Sequence, residues 1–290
     1  MKSKDNTRRF EAKAALYQQF RPAYPEAYFD YLLSKTQLMP EDAVADIGSG
    51  TGIFSRQLLE RGLSVYAVEP NSNMRSKAEQ QLGANPRFFS VPGSAEHTLL
   101  ADSSVALVTA AQAFHWFDQK KFGAECRRIL KPGGKVALVW NIRSPDSPVT
   151  QKCQEAFYRF CENFSGFTGS IMQNLDQVAS FFRGACPSCR TWANDLHYDW
   201  DAFLGRMLSS SYAPQKQSPA YAPLVAALRQ IFQEESENGI LRFSMQTISF
   251  LGMPALALQR EAKRRIINGK KIRGSLHRQA ERKRRFDPET

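Results

Sequence analysis

This sequence predicts an α/β fold, with a doubly wound sheet of mainly parallel strands and helices on both faces. Short apolar runs alternate with amphipathic runs through the first half of the chain, which is typical of consecutive strand and helix units. A glycine-rich turn, Asp46 to Gly52, closes the first apolar run and begins a helical one. The next apolar run ends on Glu69. Polar residues at the ends of two neighbouring strands indicate a site at the carboxyl edge of a parallel sheet.

Five apolar runs have the length and composition of parallel strands. They are Ala43 to Ile47, Ser64 to Val68, Arg87 to Val91, Val105 to Ala110 and Lys135 to Asn141. Three amphipathic helices are expected between them, joined by right-handed crossovers. These are Phe54 to Arg61, Met74 to Leu82 after an Asn/Ser cap region, and Lys120 to Leu130, which stops at a Lys-Pro-Gly-Gly turn.

The second half of the chain interrupts this alternation. Val149 to Phe182 is Phe-rich with helical periodicity, and we interpret it as a helical lid over the site. Arg190 to Trp200 and Ile240 to Phe250 are predicted strands, with a helix over Ala220 to Glu235 between them. The chain then divides into an N-terminal helical cap (1–40), a cofactor-binding core (41–148), the lid insertion (149–189), the remaining strands and substrate-side helices (190–252), and a basic tail (253–290).

The spacing of the glycines in this turn restricts the class of ligand that it could bind. Gly48, Gly50 and Gly52 form G-x-G-x-G, whereas the dinucleotide fingerprint needs a glycine at position 53, which is Ile53. A nicotinamide or flavin cofactor is therefore disfavoured. The backbone of such a turn and the following helix N-terminus can still approach a small ligand closely. Glu69 could accept hydrogen bonds from both hydroxyls of a ribose.

The glycine turn belongs to an ordered set of segments. The others are FEAKAALYQQFRPAYP from Phe10, GSAEHTLLADSSVALV, AQAFHWFD, LSSSYAP and ILRFSMQTISF. Together they resemble the class I S-adenosylmethionine (SAM) dependent methyltransferases, and among these the small-molecule enzymes similar to trans-aconitate methyltransferase, which carry a methyltransferase type 11 domain. The resemblance implies a Rossmann-like, seven-stranded doubly wound sheet whose last strand is antiparallel, and SAM as the cofactor.

The resemblance also implies a set of cofactor-binding residues. They are Asp46, Gly48, Gly50, Gly52, Glu69, Asn71, Met74, Ser94, Ala95, Glu96 and Gln112. Gly48 and Gly50 would lie against the methionine and ribose portions, and Asp46 would favour the methionine ammonium. Asn71 or Met74 would border the adenine, and the segment from Ser94 would meet its edge, although many class I enzymes have Asp in place of Ser94. The alternatives are a turn cap for Asp46, a solvated turn carboxylate for Glu69 and core filling for Met74.

The acceptor side is expected after the fourth strand and in the N-terminal segment. His115 could remove a proton from a hydroxyl or amine acceptor, or position an acceptor that is already ionised. Trp116 would line the pocket or belong to the core. Tyr17 and Arg21 are placed as in the family, where this segment folds over the cofactor, and Arg21 would pair with a carboxylate or form a surface salt bridge. Ser211 and Tyr212 are further candidates for substrate hydrogen bonds.

The net charge of +11 is concentrated at one end of the chain. Arg260 to Thr290 contains twelve basic and four acidic residues, a net charge of +8, and the other 259 residues carry +3. This tail could bind a nucleic acid or an acidic surface by neutralising phosphates, or it could be a solvated appendage. The resemblance ends near Gly252, where the composition also changes.

The composition of the chain indicates the size of its core, its lack of an apolar membrane-spanning run, its expected location and its use of cysteine. With 290 residues, 42% hydrophobic, the chain can bury a large core, and no apolar run reaches the ~18 residues that a membrane span needs. The N-terminus lacks the apolar segment of a secretory signal, so a cytoplasmic location is the default expectation. Five cysteines do not suggest a disulfide framework. Cys186 and Cys189 form the only C-x-x-C, which no second pair completes into a metal site, so no metal is expected.

The function predicted on this basis is SAM-dependent methyl transfer to a small organic acceptor at an oxygen, either a carboxylate or a hydroxyl. Three alternatives stay open. The acceptor could be linked to an acyl carrier, or it could be an RNA reached through the basic tail. The chain could also be a non-catalytic SAM-binding or nucleic-acid-binding protein. We expect a monomer or a homodimer without a membrane span.

Overall fold

Seven strands form one mixed sheet in the computed structural model of the chain, which describes residues 22–167, 175–182, 187–210 and 212–255. The strands are β1 (Ala43–Ile47), β2 (Ser64–Val68), β3 (Phe88–Val91), β4 (Val105–Ala111), β5 (Leu130–Arg143), β6 (Ser188–Ala193) and β9 (Met245–Gly252). Their order is β3-β2-β1-β4-β5-β9-β6. The first five are parallel, and β9 lies antiparallel between β5 and β6. The predicted seven-stranded Rossmann-like sheet with an antiparallel last strand is confirmed.

Two short strands stand outside this sheet and correct the predicted element bounds. β7 (Leu196–Tyr198) and β8 (Leu241–Phe243) pair with each other in a separate two-stranded sheet. Each of the two predicted late strands therefore breaks into two pieces. Asp195 stabilises the break, because its carboxylate accepts a hydrogen bond from the backbone N–H of Met245 (3.2 Å) and pairs with Arg242 (2.6 Å).

Helices cover both faces of the large sheet and build a further unit beside it. They are α1 (Glu26–Thr36), α2 (Ile53–Leu59), α3 (Ser72–Leu82), α4 (Gln119–Ile129), α5 (Pro148–Phe160), α6 (Leu175–Phe181), α7 (Trp200–Leu208) and α8 (Tyr221–Glu235). Several begin at a side-chain cap, as the sequence indicates for α3, where Asn71 accepts hydrogen bonds from the first turn. Asp118 caps α4 and Asp199 caps α7 in the same way.

The side chains of the central strands alternate between two apolar cores. Leu138 and Trp140 of β5 pack on the face covered by α4 and α6, whereas Ala137 and Val139 pack on the face covered by α1 and α2. This alternation follows from the two-residue period of a strand. A strand buried on both faces reads as a continuous apolar run, which is why β1, β4 and β5 are recognisable in the sequence.

A third core, which we call the lid core, lies outside these two faces. It is formed by residues of α5, α7, α8, β7, β8 and the segment 161–167, among them Phe157, Phe203 and Phe243. The predicted lid range therefore divides. Its α5 part joins the lid core, but α6 packs on α4, where Phe181 stacks on Phe122 with ring centroids 5.3 Å apart.

Within the described ranges, no helix is long and apolar enough to cross a membrane. The same part of the chain holds no group of three or more His, Cys, Asp or Glu that could bind a metal. Cys126, Cys153 and Cys161 are buried free thiols, and Cys189 is exposed. Cys186, the other half of the C-x-x-C, lies outside the described residues.

Candidate active site

The glycine turn lies between the carboxyl end of β1 and the start of α2. Gly48, Gly50 and Gly52 all have positive φ, at 68°, 58° and 84°. A Cβ on Gly48 would stand 2.6 Å from the Cβ of Ala113, and one on Gly52 would stand 2.7 Å from Leu82. Packing within the protein therefore explains these two glycines. Gly50 differs, because a Cβ there would meet only the sulfur of Met74 at 4.0 Å, which leaves its backbone accessible to a ligand.

Glu69 connects this turn to the end of β2. One carboxylate oxygen accepts a hydrogen bond from the Gly50 N–H and the other from the Asn71 N–H, each at 2.9 Å. The residue is only 7% exposed. Each oxygen retains a second acceptor position, so the carboxylate can bind two further hydroxyls. A held carboxylate beside an accessible glycine backbone fits the vicinal diol of a ribose.

Asp46 is enclosed at the end of β1. Its carboxylate accepts hydrogen bonds from the hydroxyls of Ser55 (2.6 Å) and Thr109 (3.0 Å). Burial raises its pKa to about 6, with a smaller upward contribution from the charge of Glu69, while the two hydroxyls act in the opposite direction. Asp46 thus links β1, α2 and β4 beneath the glycine turn.

The residues expected on the adenine side lie in the two neighbouring loops. Asn71 uses its side-chain oxygen to cap α3, accepting from the N–H groups of Asn73 and Met74 (3.0 and 3.1 Å). After β3, the Ser94 N–H bonds to the carbonyl of His97 at 3.0 Å and closes a tight turn. In that turn Ala95 is buried, and Glu96 accepts a hydrogen bond from the N–H of Asp118 (2.9 Å).

The loop after β4 carries Gln112, which was expected at the cofactor, and His115 and Trp116, which were expected near the acceptor. Gln112 has a positive φ of 60° and binds β5 twice, through its N–H to Val139 (2.9 Å) and its amide to the carbonyl of Asn141 (2.8 Å). A 3-10 turn, Phe114–Trp116, follows. It brings the rings of His115 and Trp116 within 5.0 Å of each other, and Trp116 is 81% exposed.

The remaining acceptor-side predictions have different outcomes. Tyr17, Arg21 and Ser211 lie outside the described residues, as does the basic tail from residue 256. Tyr212 lies against the lid core, where its ring packs on Phe157 (5.3 Å) and Phe164 (4.9 Å). A substrate contact by Tyr212 stays a prediction.

A polar network at the end of β5 was not predicted from the sequence. The amide of Asn141 donates to the carbonyls of Pro22 and Ala23, at 3.3 and 3.2 Å, and Asn194 donates to both Ala23 and Asn141. Thr247 donates to Asn141 from the adjacent strand. The network fixes the chain that follows the N-terminal segment against the carboxyl edge of the sheet. The sequence signal for such a network is a polar residue that ends or interrupts an apolar strand, as Thr109 does in β4.

Comparison with known proteins agrees with this geometry. A family profile described as a methyltransferase domain matches residues 45–138. An uncharacterised methyltransferase of Mycobacterium bovis is 38% identical over 140 residues, 48% of this chain and 55% of that protein, so the chain spans about half the length of this relative. An uncharacterised methyltransferase of Geobacillus thermodenitrificans is 31% identical over 183 residues, 60% of this chain and 84% of that protein.

The solved structures agree at the level of the fold. A structure described as a type II methyltransferase, from Anaeromyxobacter dehalogenans, superposes with a TM-score of 0.62 at 24% identity and covers 81% of this chain and 98% of its own. The profile match runs from β1 into β5 and includes every candidate cofactor residue, from Asp46 to Gln112. The chain therefore belongs to a family of methyltransferases.

Proposed function

We propose that this protein is a methyltransferase that uses SAM to methylate a small organic acceptor at an oxygen, either a carboxylate or a hydroxyl. One observation carries the proposal. Glu69 is held by the N–H groups of Gly50 and Asn71, and a Cβ on Gly50 would meet no protein atom closer than the Met74 sulfur at 4.0 Å. When bound, SAM supplies a methyl group that is already activated by its sulfonium.

The protein's part in this proposal is to bind and orient. Glu69 accepts from the two ribose hydroxyls with the acceptor positions that its backbone contacts leave vacant. Gly50 allows close approach of the backbone, and the thioether of Met74 packs on the adenine. Asp46 favours the methionine ammonium through its charge and without direct contact, because Ser55 and Thr109 enclose its carboxylate.

The acceptor arrives, in this proposal, at the loop after β4. His115 and Trp116 follow that strand, and the aromatic lid core adjoins the ends of the neighbouring strands. A carboxylate acceptor is ionised near neutral pH and needs no base, so His115 would only position it. A hydroxyl acceptor would need His115 to remove its proton. An oxygen acceptor is favoured because this site can serve both a carboxylate and a hydroxyl.

A screen with SAM labelled on its methyl group tests the proposed acceptor class. Purified protein is incubated separately with carboxylic acids, phenols, an acyl-carrier-linked acid and RNA. Label is expected on members of the first two groups, and His115→Gln should reduce phenol methylation more than carboxylate methylation. Label confined to the acyl carrier or to RNA would contradict the proposed acceptor class while leaving methyl transfer intact.

A nucleic-acid acceptor is the second candidate, because the charge distribution favours it. Arg260 to Thr290 has a net charge of +8 in a chain whose other residues carry +3. Such a segment could bring phosphate-bearing substrates to the core by counterion release. Binding to an acidic surface uses the same chemistry.

A further inference from the structure

Arg143 is a buried cation with no counterion among the residues that the structure describes. It is the last residue of β5, opposite Met245 of β9, and is only 8% exposed. Its Nε is enclosed without a hydrogen-bond partner, and no hydrogen bond or ion pair joins its guanidinium to any residue in the described ranges. The arginine side chain is a cation with five N–H donors and no acceptor. Buried charges are ordinarily paired, which makes the site unusual.

The surroundings of Arg143 stabilise the cation without using its N–H groups. Its guanidinium carbon lies 3.9 Å from the ring centre of Phe167 and 5.8 Å from that of Phe243. A ring face attracts the charge but leaves the donors in the guanidinium plane available. These two aromatic residues therefore hold a flat, charged, donor-rich group in place at the boundary of the lid core.

A second positive charge lies nearby, and the carboxylate on the same side is already paired. Burial raises the pKa of the Tyr198 hydroxyl, while Arg206 and Arg143, both close to it, act to lower that pKa. Glu235 acts electrostatically on Cys153, as Arg143 does. Glu235, however, pairs with Lys152 at 2.6 Å. Arg143 and Arg206 thus both act electrostatically on the Tyr198 hydroxyl.

The position of Arg143 relates this charge to the acceptor side. β4 and β5 are adjacent parallel strands, and the side chain of Gln112 binds the carbonyl of Asn141, two residues before Arg143. His115 follows Gln112 on the neighbouring loop. Arg143 is therefore at the edge of the sheet where the proposed acceptor site lies, on the side covered by the lid core.

We propose that Arg143 binds an anionic oxygen group of the methyl acceptor, either a carboxylate or a phosphate. The planar guanidinium offers paired N–H donors that match two oxygens of either group. The bound anion supplies the counterion that is missing among the described residues. It also orients the acceptor from the side of the lid core. This inference rests on the proposed function, since it names the chemistry of the acceptor.

The test measures anion binding and SAM binding separately on the full-length protein. Phenylacetate, succinate, phenyl phosphate and inorganic phosphate are titrated at constant ionic strength and followed by calorimetry, with phenylacetamide as the uncharged counterpart of phenylacetate. The variants are Arg143→Gln and Arg143→Lys. Arg229→Gln is the matched control, because Arg229 also stacks on an aromatic ring of the lid core, Trp200 at 3.6 Å, but is exposed.

We expect the wild-type protein to bind at least one of the anions and to bind phenylacetamide at least tenfold more weakly than phenylacetate. Arg143→Gln should weaken anion binding at least tenfold, Arg143→Lys should weaken it about threefold to tenfold, and Arg229→Gln should leave it unchanged. Preference for phenylacetate over phenyl phosphate identifies a carboxylate group, and the reverse preference identifies a phosphate. Affinity for SAM should stay within twofold of wild type in all variants.

The proposal is overturned if none of the anions binds, if the amide binds as tightly as the acid, or if Arg143→Gln binds anions like wild type. Where Arg143→Gln does not fold, Arg143→Lys decides, and unchanged anion affinity in that variant overturns the proposal. Failure of SAM to bind the wild-type protein would instead contradict the proposed function. The two outcomes are distinguishable because anion binding and SAM binding are measured in separate titrations.

Discussion

At the scale of single residues, the site depends on a few buried polar groups that lie among apolar strands. Asp46 is fully buried and held by two hydroxyls, and Glu69 is held by two backbone N–H groups. Both carboxylates are thus fixed before any ligand binds. Preorganisation of this kind reduces the entropic cost of ordering a site on binding.

The raised pKa of Asp46 predicts a specific pH dependence of stability. Because its folded-state pKa is about 6, above the ordinary value, the stability that Asp46 contributes is complete below about pH 4 and is lost as the pH rises through 6. Asp46→Asn removes this titration. The difference in free energy of unfolding between wild type and Asp46→Asn should therefore shift against wild type by on the order of 2–3 kcal/mol between pH 4 and 7. Urea unfolding at both pH values measures it, and parallel pH profiles would contradict it.

Two glycines of the turn, Gly48 and Gly50, should respond differently to alanine. Gly50→Ala meets only the Met74 sulfur at 4.0 Å and carries only the left-handed backbone cost of about 1–2 kcal/mol, but it should weaken SAM binding at least tenfold. Gly48→Ala adds an overlap with Ala113 and should lose about 3 kcal/mol or more of stability. Urea unfolding and calorimetry with SAM separate the two effects. Unchanged SAM affinity in Gly50→Ala would show that no ligand approaches this backbone.

At the scale of elements, the sequence predicted the parallel strands well and the late strands less well. β1 and β2 have the predicted bounds, because strands buried on both faces read as unbroken apolar runs. The breaks that give β7 and β8 were missed, since Asp195 makes them through contacts with Arg242 and Met245 that are distant in sequence. The lid range was predicted as one helical unit, because Phe-rich periodicity does not reveal which core a helix joins.

The role of Asn71 is a second case in which local structure adds to the sequence prediction. Its side-chain oxygen caps α3, so Asn71→Ala should cost about 1 kcal/mol of stability, whereas Asn71→Ser should retain the cap. With the cap as its main role, SAM affinity should stay within about threefold in Asn71→Ser. Thermal or urea unfolding and SAM titration of both variants measure this. A serine variant that is stable but loses SAM affinity tenfold would indicate a direct contact of the amide with the ligand.

At the scale of the whole molecule, the sheet order brings the loops after β1, β2, β3 and β4 to one edge, and the lid core adjoins that edge at β5. The resemblance to a known family predicted this topology, and the donor-site residues that it implies stay predictions. The proposed role of Arg143 could not be predicted from the sequence, because the absence of a counterion among the described residues depends on how the lid core packs. Oligomeric state, monomer or homodimer, stays a prediction.

Deletion of residues 260–290 tests the role of the basic tail. If the tail is an accessory, methylation of a small acceptor should persist and RNA binding should weaken, with a smaller dependence of affinity on salt because fewer phosphates are neutralised. Turnover assays and RNA titrations at two salt concentrations measure both. Loss of all turnover in a folded truncated protein would show instead that the tail contributes to the active site.

Calorimetric titration of SAM decides whether Glu69 holds the methyl donor. We expect one SAM to bind per chain, Glu69→Ala to weaken its binding at least tenfold, and Glu69→Gln to weaken it less. Glu60 is an exposed carboxylate at the end of α2, and its alanine variant should bind SAM like wild type. If the wild-type protein binds no SAM, or if wild type and Glu69→Ala bind it equally, Glu69 does not bind the donor as proposed.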